Sequence, residues 1–126
     1  MKVEPVYEWW NTPENYRHYP GGKELPDKLK VWRIQRISDK PGVLARPSGA
    51  VARPWEPGKT LDAEPLVVGY NTGKMNGAVA VGWHGNFLQW GFSAPPAQMT
   101  QAGRALFLNC VCCIVKFDGK GPAERR

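Results

Sequence analysis

The stretch Gly82-Trp-His-Gly-Asn-Phe-Leu-Gln-Trp-Gly-Phe92 holds the densest set of side chains suited to chemistry in this sequence. A histidine there, His84, could act as a general base or hydrogen-bond a substrate. Asn86 adds an amide two residues on. Trp83 and Trp90 add indole faces of the kind that stack on bases or on the C–H surfaces of sugars. These four are the candidate ligand-binding residues. On spacing alone a structural role is favoured: a half-buried His84 bonded to main chain, Asn86 fixing a turn, and most of the indoles in the core. No catalytic set accompanies them, since the sequence has no Gly-x-Ser-x-Gly elbow, no phosphate-binding glycine loop and no His-Glu-x-x-His.

A second group could hold an anion. Residues 21 to 60 carry nine basic side chains against four acidic ones, within a chain of net charge +6 and pI near 9.4. Lys28, Lys30, Arg33 and Arg36 are the candidate anion-binding residues, because a positive field raises the local concentration of phosphates and other anions. No recognisable nucleic-acid-binding motif accompanies the charge, which weighs against nucleic acid as a partner. The three cysteines, Cys110, Cys112 and Cys113, lie in one apolar stretch. With two histidines remote from them, they lack metal-ligand spacing and read as small core hydrophobes. No metal and no cofactor is expected. The odd number of cysteines and the lack of an apolar leader point to a reducing cytoplasm.

The elements that would position these groups follow from patterning. The chain has 126 residues, 42% of them hydrophobic and 22% charged, the profile of one soluble domain. No apolar run approaches the ~20 residues that span a bilayer. Nine of the twelve prolines fall in the first 65 residues. Residues 1–27, rich in proline and aromatics, therefore read as an extended arm or irregular loops packed across the rest. A single domain is expected over 28–119, with a frayed tail at 120–126. Strands are expected at Leu29–Ile37, Glu64–Tyr70, Ala78–Trp83 and Phe87–Phe92, with a shorter one at Val43–Ala45 or Ala50–Ala52. Thr100 is the expected N-cap of a helix over Gln101–Phe117. That helix is apolar almost all round, which favours a second face docked on another copy of the chain. The fold class is α+β: a small mixed, mostly antiparallel sheet, one long C-terminal helix and a proline-rich N-terminal arm. The alternative is half of an α/β fold.

Pro65-Leu-Val-Val-Gly, then Gly77-Ala-Val-Ala-Val-Gly-Trp-His-Gly-Asn-Phe-Leu-Gln-Trp-Gly-Phe-Ser93, Met99-Thr and Arg104-Ala-Leu-Phe-Leu-Asn109 form a larger pattern. It resembles the last third of trehalose-utilisation-like domains, in the class I glutamine-amidotransferase-like superfamily. The likeness covers about residues 60–119 and, more weakly, Leu29–Arg36. In that superfamily a cysteine on a sharp turn works with a His-x-Glu motif after a late strand. His84 falls near that histidine, but Asn86 stands where the glutamate is needed, and the nucleophile-bearing half has no counterpart in this chain. The resemblance thus implies a sugar-related role, argues against amidotransferase catalysis, and suggests a half-fold that needs a partner. A sugar or polyol ligand is the first expectation for function, with no catalytic set to make the domain an enzyme on sequence grounds. A non-catalytic homo-oligomeric assembly module built on Gln101–Phe117 is the alternative, and polyanion binding stands third.

Overall fold

The structure, a computed structural model, describes residues 1–36, 49–52 and 63–121. It is a small α+β fold with two antiparallel sheets and a long C-terminal helix. Among the described residues every strand pairing is antiparallel, so the mixed sheet and the α/β alternative both give way to two separate sheets. The expected strand at Val43–Ala45 and the end of Leu29–Ile37 lie outside the described residues. Residues 122–126 of the expected tail lie outside them as well.

The first sheet pairs β1 (Tyr7–Asn11) with β2 (Lys28–Trp32), Tyr7 opposite Trp32 and Asn11 opposite Lys28. Part of the expected arm is thus a paired strand. Its alternation of exposed and half-buried positions suits a ribbon with one face covered. Pro13 ends β1, and two short 3-10 turns, Glu14–His18 and Gly22–Glu24, carry the chain back to β2. Tyr16, only 2% exposed, anchors this connection. Its hydroxyl donates to the Asn71 carbonyl and accepts from the Asn71 N–H, at 3.1 and 3.2 Å.

The second sheet has the order β3 (Ala63–Val68), β4 (Val79–His84), β5 (Phe87–Trp90). Pro65 lacks an N–H and is tolerated because β3 lies at a sheet edge. Register shifts around Val67 mark a bulge beside it. β4 is the central strand, and Val79, Ala80, Val81 and Gly82 are all buried, which explains its unbroken apolar run. Gly49–Ala52 joins the sheet through isolated bridges, Gly49 to Phe92 and Ala52 to Val79, in place of the short strand expected there.

The helix α1 (Gln101–Ile114) begins where the sequence indicates, with Thr100 as N-cap. Its hydroxyl accepts from the Gly103 N–H at 3.0 Å and donates to the Arg33 carbonyl at 2.7 Å. The last expected turn, Val115–Phe117, is 3-10 rather than α. Beyond β2 the chain stays extended. The Arg36 N–H reaches the Gln98 carbonyl and the Thr100 N–H reaches the Ile34 carbonyl, both at 2.8 Å. Gln35, buried in this seam, accepts from the Ala94 N–H at 2.7 Å. The first sheet is thereby laced to the start of the helix.

Candidate functional site

Strand geometry separates the four residues expected to form one ligand site. Side chains alternate along a strand, so the neighbours Trp83 and His84 point to opposite faces of the sheet. Trp83 packs on Phe117, ring centroids 4.7 Å apart, at the end of the helix. Trp90 meets Phe92 at 5.2 Å and Phe107 of α1 at 5.1 Å. Both indoles are therefore committed to aromatic packing under the helix. Among the described residues the buried Trp90 Nε1–H meets no acceptor, and its ring contacts are aromatic. His84 lies opposite Phe87 in the register, on the other face. Gly85 and Asn86 make the two-residue β4–β5 turn. Gly85 takes φ +58 at the first central position, the requirement of a type II′ hairpin turn. Asn86 is thus a turn residue, as its structural reading has it.

The four expected anion-binding residues divide as well. Arg33 donates from Nε to Glu8 Oε1 at 2.7 Å, and the other oxygen of Glu8 accepts from Trp10 Nε1 at 2.9 Å. The Arg33 guanidinium also lies over the Trp10 ring, 4.9 Å from its centre. These bonds from Arg33, and then from Trp10, hold the Glu8 carboxyl below its ordinary value of 4.5. Arg33 therefore carries its own counter-charge on the inner face of the first sheet. Lys28 and Lys30 lie on the outer face, where Lys30 Nζ sits 4.2 Å from the centre of the Tyr7 ring. Arg36 is exposed beyond the strand.

Of the cysteines only Cys110 is buried; Cys112 is exposed and Cys113 half-buried, which corrects the expectation of three core thiols. Burial pushes the Cys110 thiol up from 9.0, with Cys113 adding to the effect. Among the described residues no group of three or more His, Cys, Asp or Glu side chains could hold a metal. No helix among them is long and apolar enough to cross a membrane.

A well-formed concavity lies elsewhere, between the first sheet and β3. It is a cleft of about 890 Å³ lined among others by Trp10, Tyr16, Arg33, Tyr70, Asn71 and Asn76. Trp10 and Tyr70 stand edge to face, centroids 4.9 Å apart, and the Tyr70 hydroxyl donates to the Asn11 carbonyl at 3.0 Å. Burial raises the Tyr70 phenol above its ordinary 10.0, so it stays a neutral donor at physiological pH. Aromatic walls with amides and a guanidinium at the rim suit a small organic ligand, and the volume falls within the usual ~300–1,000 Å³. The aromatic density of residues 1–27 is plain in the sequence, but composition cannot pair Trp10 and Tyr16 with Tyr70 and Asn71, more than fifty positions on. Compared with known protein families, curated proteins and solved structures, the chain matches none of them.

Proposed function

We propose that this chain is a binding domain for a neutral polyhydroxylated ligand of the sugar or polyol class, held in the cleft between the two sheets. The cleft itself carries the reading, because it gathers aromatic rings and polar groups around one ligand-sized volume. C–H faces of a sugar would lie along the exposed parts of the Trp10 and Tyr70 rings. Hydroxyls would meet the amides of Asn71 and Asn76, with the Arg33 guanidinium at the rim. The resemblance over residues 60–119 supports a sugar-related role, and the gathered rings and amides favour the cleft over the Trp83–Trp90 hairpin as its site. Three free thiols favour a reducing compartment, and we read the chain as cytoplasmic.

Calorimetric titration with a panel of mono- and disaccharides at millimolar concentration tests this. The expected result is saturable binding that Trp10→Ala and Asn76→Ala each weaken about tenfold or more, the cost of a lost stacking or hydrogen-bonding partner. His84→Ala should bind as the parent does. Silence across the panel, or loss of binding on His84→Ala with the cleft variants intact, would overturn the proposal.

A second reading, self-assembly through the C-terminal helix, has its own support. Leu108, Val111 and Val115 stand 45%, 44% and 67% exposed at helical spacing, an apolar stripe pointing away from the sheet.

A further inference from the structure

The outer face of the first sheet has a different chemistry from the cleft, whose lining it meets at Tyr7, Lys30 and Trp32. Alternation along β1 places Tyr7, Trp9 and Asn11 on it, and the register places Trp32, Lys30 and Lys28 opposite them in that order. Tyr7 is 51% and Trp9 65% exposed, unusual for rings of this size in paired strands. Both lysines are exposed. No strand position on this face is acidic. Glu8 points inward to Arg33, and Asp27, just before β2, is paired with Arg17 at 3.0 Å.

The pattern is two parallel rows. One row, on β1, is aromatic, with rings two residues apart and so about 6.8 Å along the strand. The other, on β2, is cationic and lies one strand over, about 4.8 Å away. A matching ligand must present flat π-faces in series with a line of negative charges running beside them. Single-stranded nucleic acid has this form: unpaired bases stack on aromatic side chains while lysines follow the phosphates. A duplex hides its base faces, a neutral glycan makes no use of the lysines, and a simple polyanion makes no use of the rings. The net charge of +6 favours approach of such a strand from any direction.

We propose that the Tyr7–Trp9–Lys28–Lys30 face binds single-stranded nucleic acid without strong sequence preference. Tyr7 and Trp9 take successive bases and Lys28 and Lys30 take the adjoining phosphates. Lys30, resting over Tyr7 in the free protein, swings off the ring when a base replaces it.

The test is fluorescence anisotropy with labelled oligothymidylate, oligouridylate, a mixed-sequence duplex and heparin, each titrated over a range of salt. The full chain should bind both single strands more tightly than the duplex or heparin. Trp9→Ala should weaken single-strand binding by about 5- to 140-fold, the usual range for one stacked base, and leave the salt slope unchanged. Lys28→Gln with Lys30→Gln should flatten the slope of log K against log salt by about 1.4, near 0.7 for each phosphate released. The charge-matched pair Lys74→Gln with Lys116→Gln, on exposed lysines elsewhere, should leave both unchanged. Any one of four outcomes overturns the proposal: no single-strand binding at low salt, equal affinity for duplex or heparin, loss in the control pair as large as in the face pair, or binding indifferent to Trp9→Ala. Avid binding to anionic lipid vesicles without oligonucleotide binding would assign the face to a membrane surface instead, and also overturns it. Trp9 is mostly solvent-exposed, so its replacement leaves the core intact.

Discussion

Glu8 shows how one side chain decides the use of its neighbours. It fixes Trp10 with one oxygen and Arg33 with the other, and so takes Arg33 out of the pool of available cations. Arg33 looks like an anion ligand in sequence because its partner stands 25 positions earlier and strand register cannot be read from composition. The depressed carboxyl makes a pH prediction with a definite sign. A group whose folded value is lowered adds stability that is full above its unfolded value, here about 4.5, and is lost as pH falls through the folded value. Urea unfolding of the parent should therefore weaken in acid more steeply than that of Glu8→Gln. Near neutral pH the variant should be less stable by no more than about 1 kcal/mol, since both partners are about one-third exposed and screened by solvent. Parallel pH curves for the two proteins would show that the ion pair contributes nothing.

At the level of elements, the helix start is the most exposed to a single change. Gly103 lies against the extended chain at Ile34, and a Cβ there would run into the Ile34 carbonyl oxygen, with the carbonyl carbon and Cα both 3.1 Å away. Alanine improves intrinsic helix propensity by about 1 kcal/mol. Backbone atoms cannot yield as a side chain tip does, so the clash wins. Gly103→Ala should destabilise by about 1–3 kcal/mol despite its better propensity. Thr100→Ala should cost about 1–2 kcal/mol through loss of the cap. Thermal unfolding of both variants checks the pair, and a stabilised Gly103→Ala would show the seam to be loose. The same elements show what was legible. The Thr100 cap, the apolar run of β4 and the glycine turn before β5 are local signals, and all lie where the sequence put them. β1 was missed because proline density argued for an arm, while its pairing partner sits across a long connection. The expected grouping of Trp83 with His84 overlooked that adjacent strand residues cannot share a face. That much was available from the strand assignment itself.

For the molecule as a whole, the apolar stripe along the C-terminal helix is one surface that no element among the described residues covers. If self-assembly covers it, light scattering behind size exclusion should give the parent a mass of two or more chains. Val111→Glu, a charge placed on the stripe at a residue 44% exposed, should give a folded monomer. A monomeric parent would remove the assembly reading and leave the stripe as solvent-facing helix. The architecture also sets a timetable for folding. The cap of the helix bonds a carbonyl 67 positions upstream, and Tyr16 bonds Asn71 across 55. Each such contact closes a long loop before it returns any stabilisation, and chains dominated by remote contacts fold in roughly milliseconds to seconds rather than microseconds. On a ribosome the first sheet would emerge early and wait. Its laced edge from Ile34 to Arg36 would find its partner only when the residues around Thr100 leave the exit tunnel, so the first sheet stays unfinished until then.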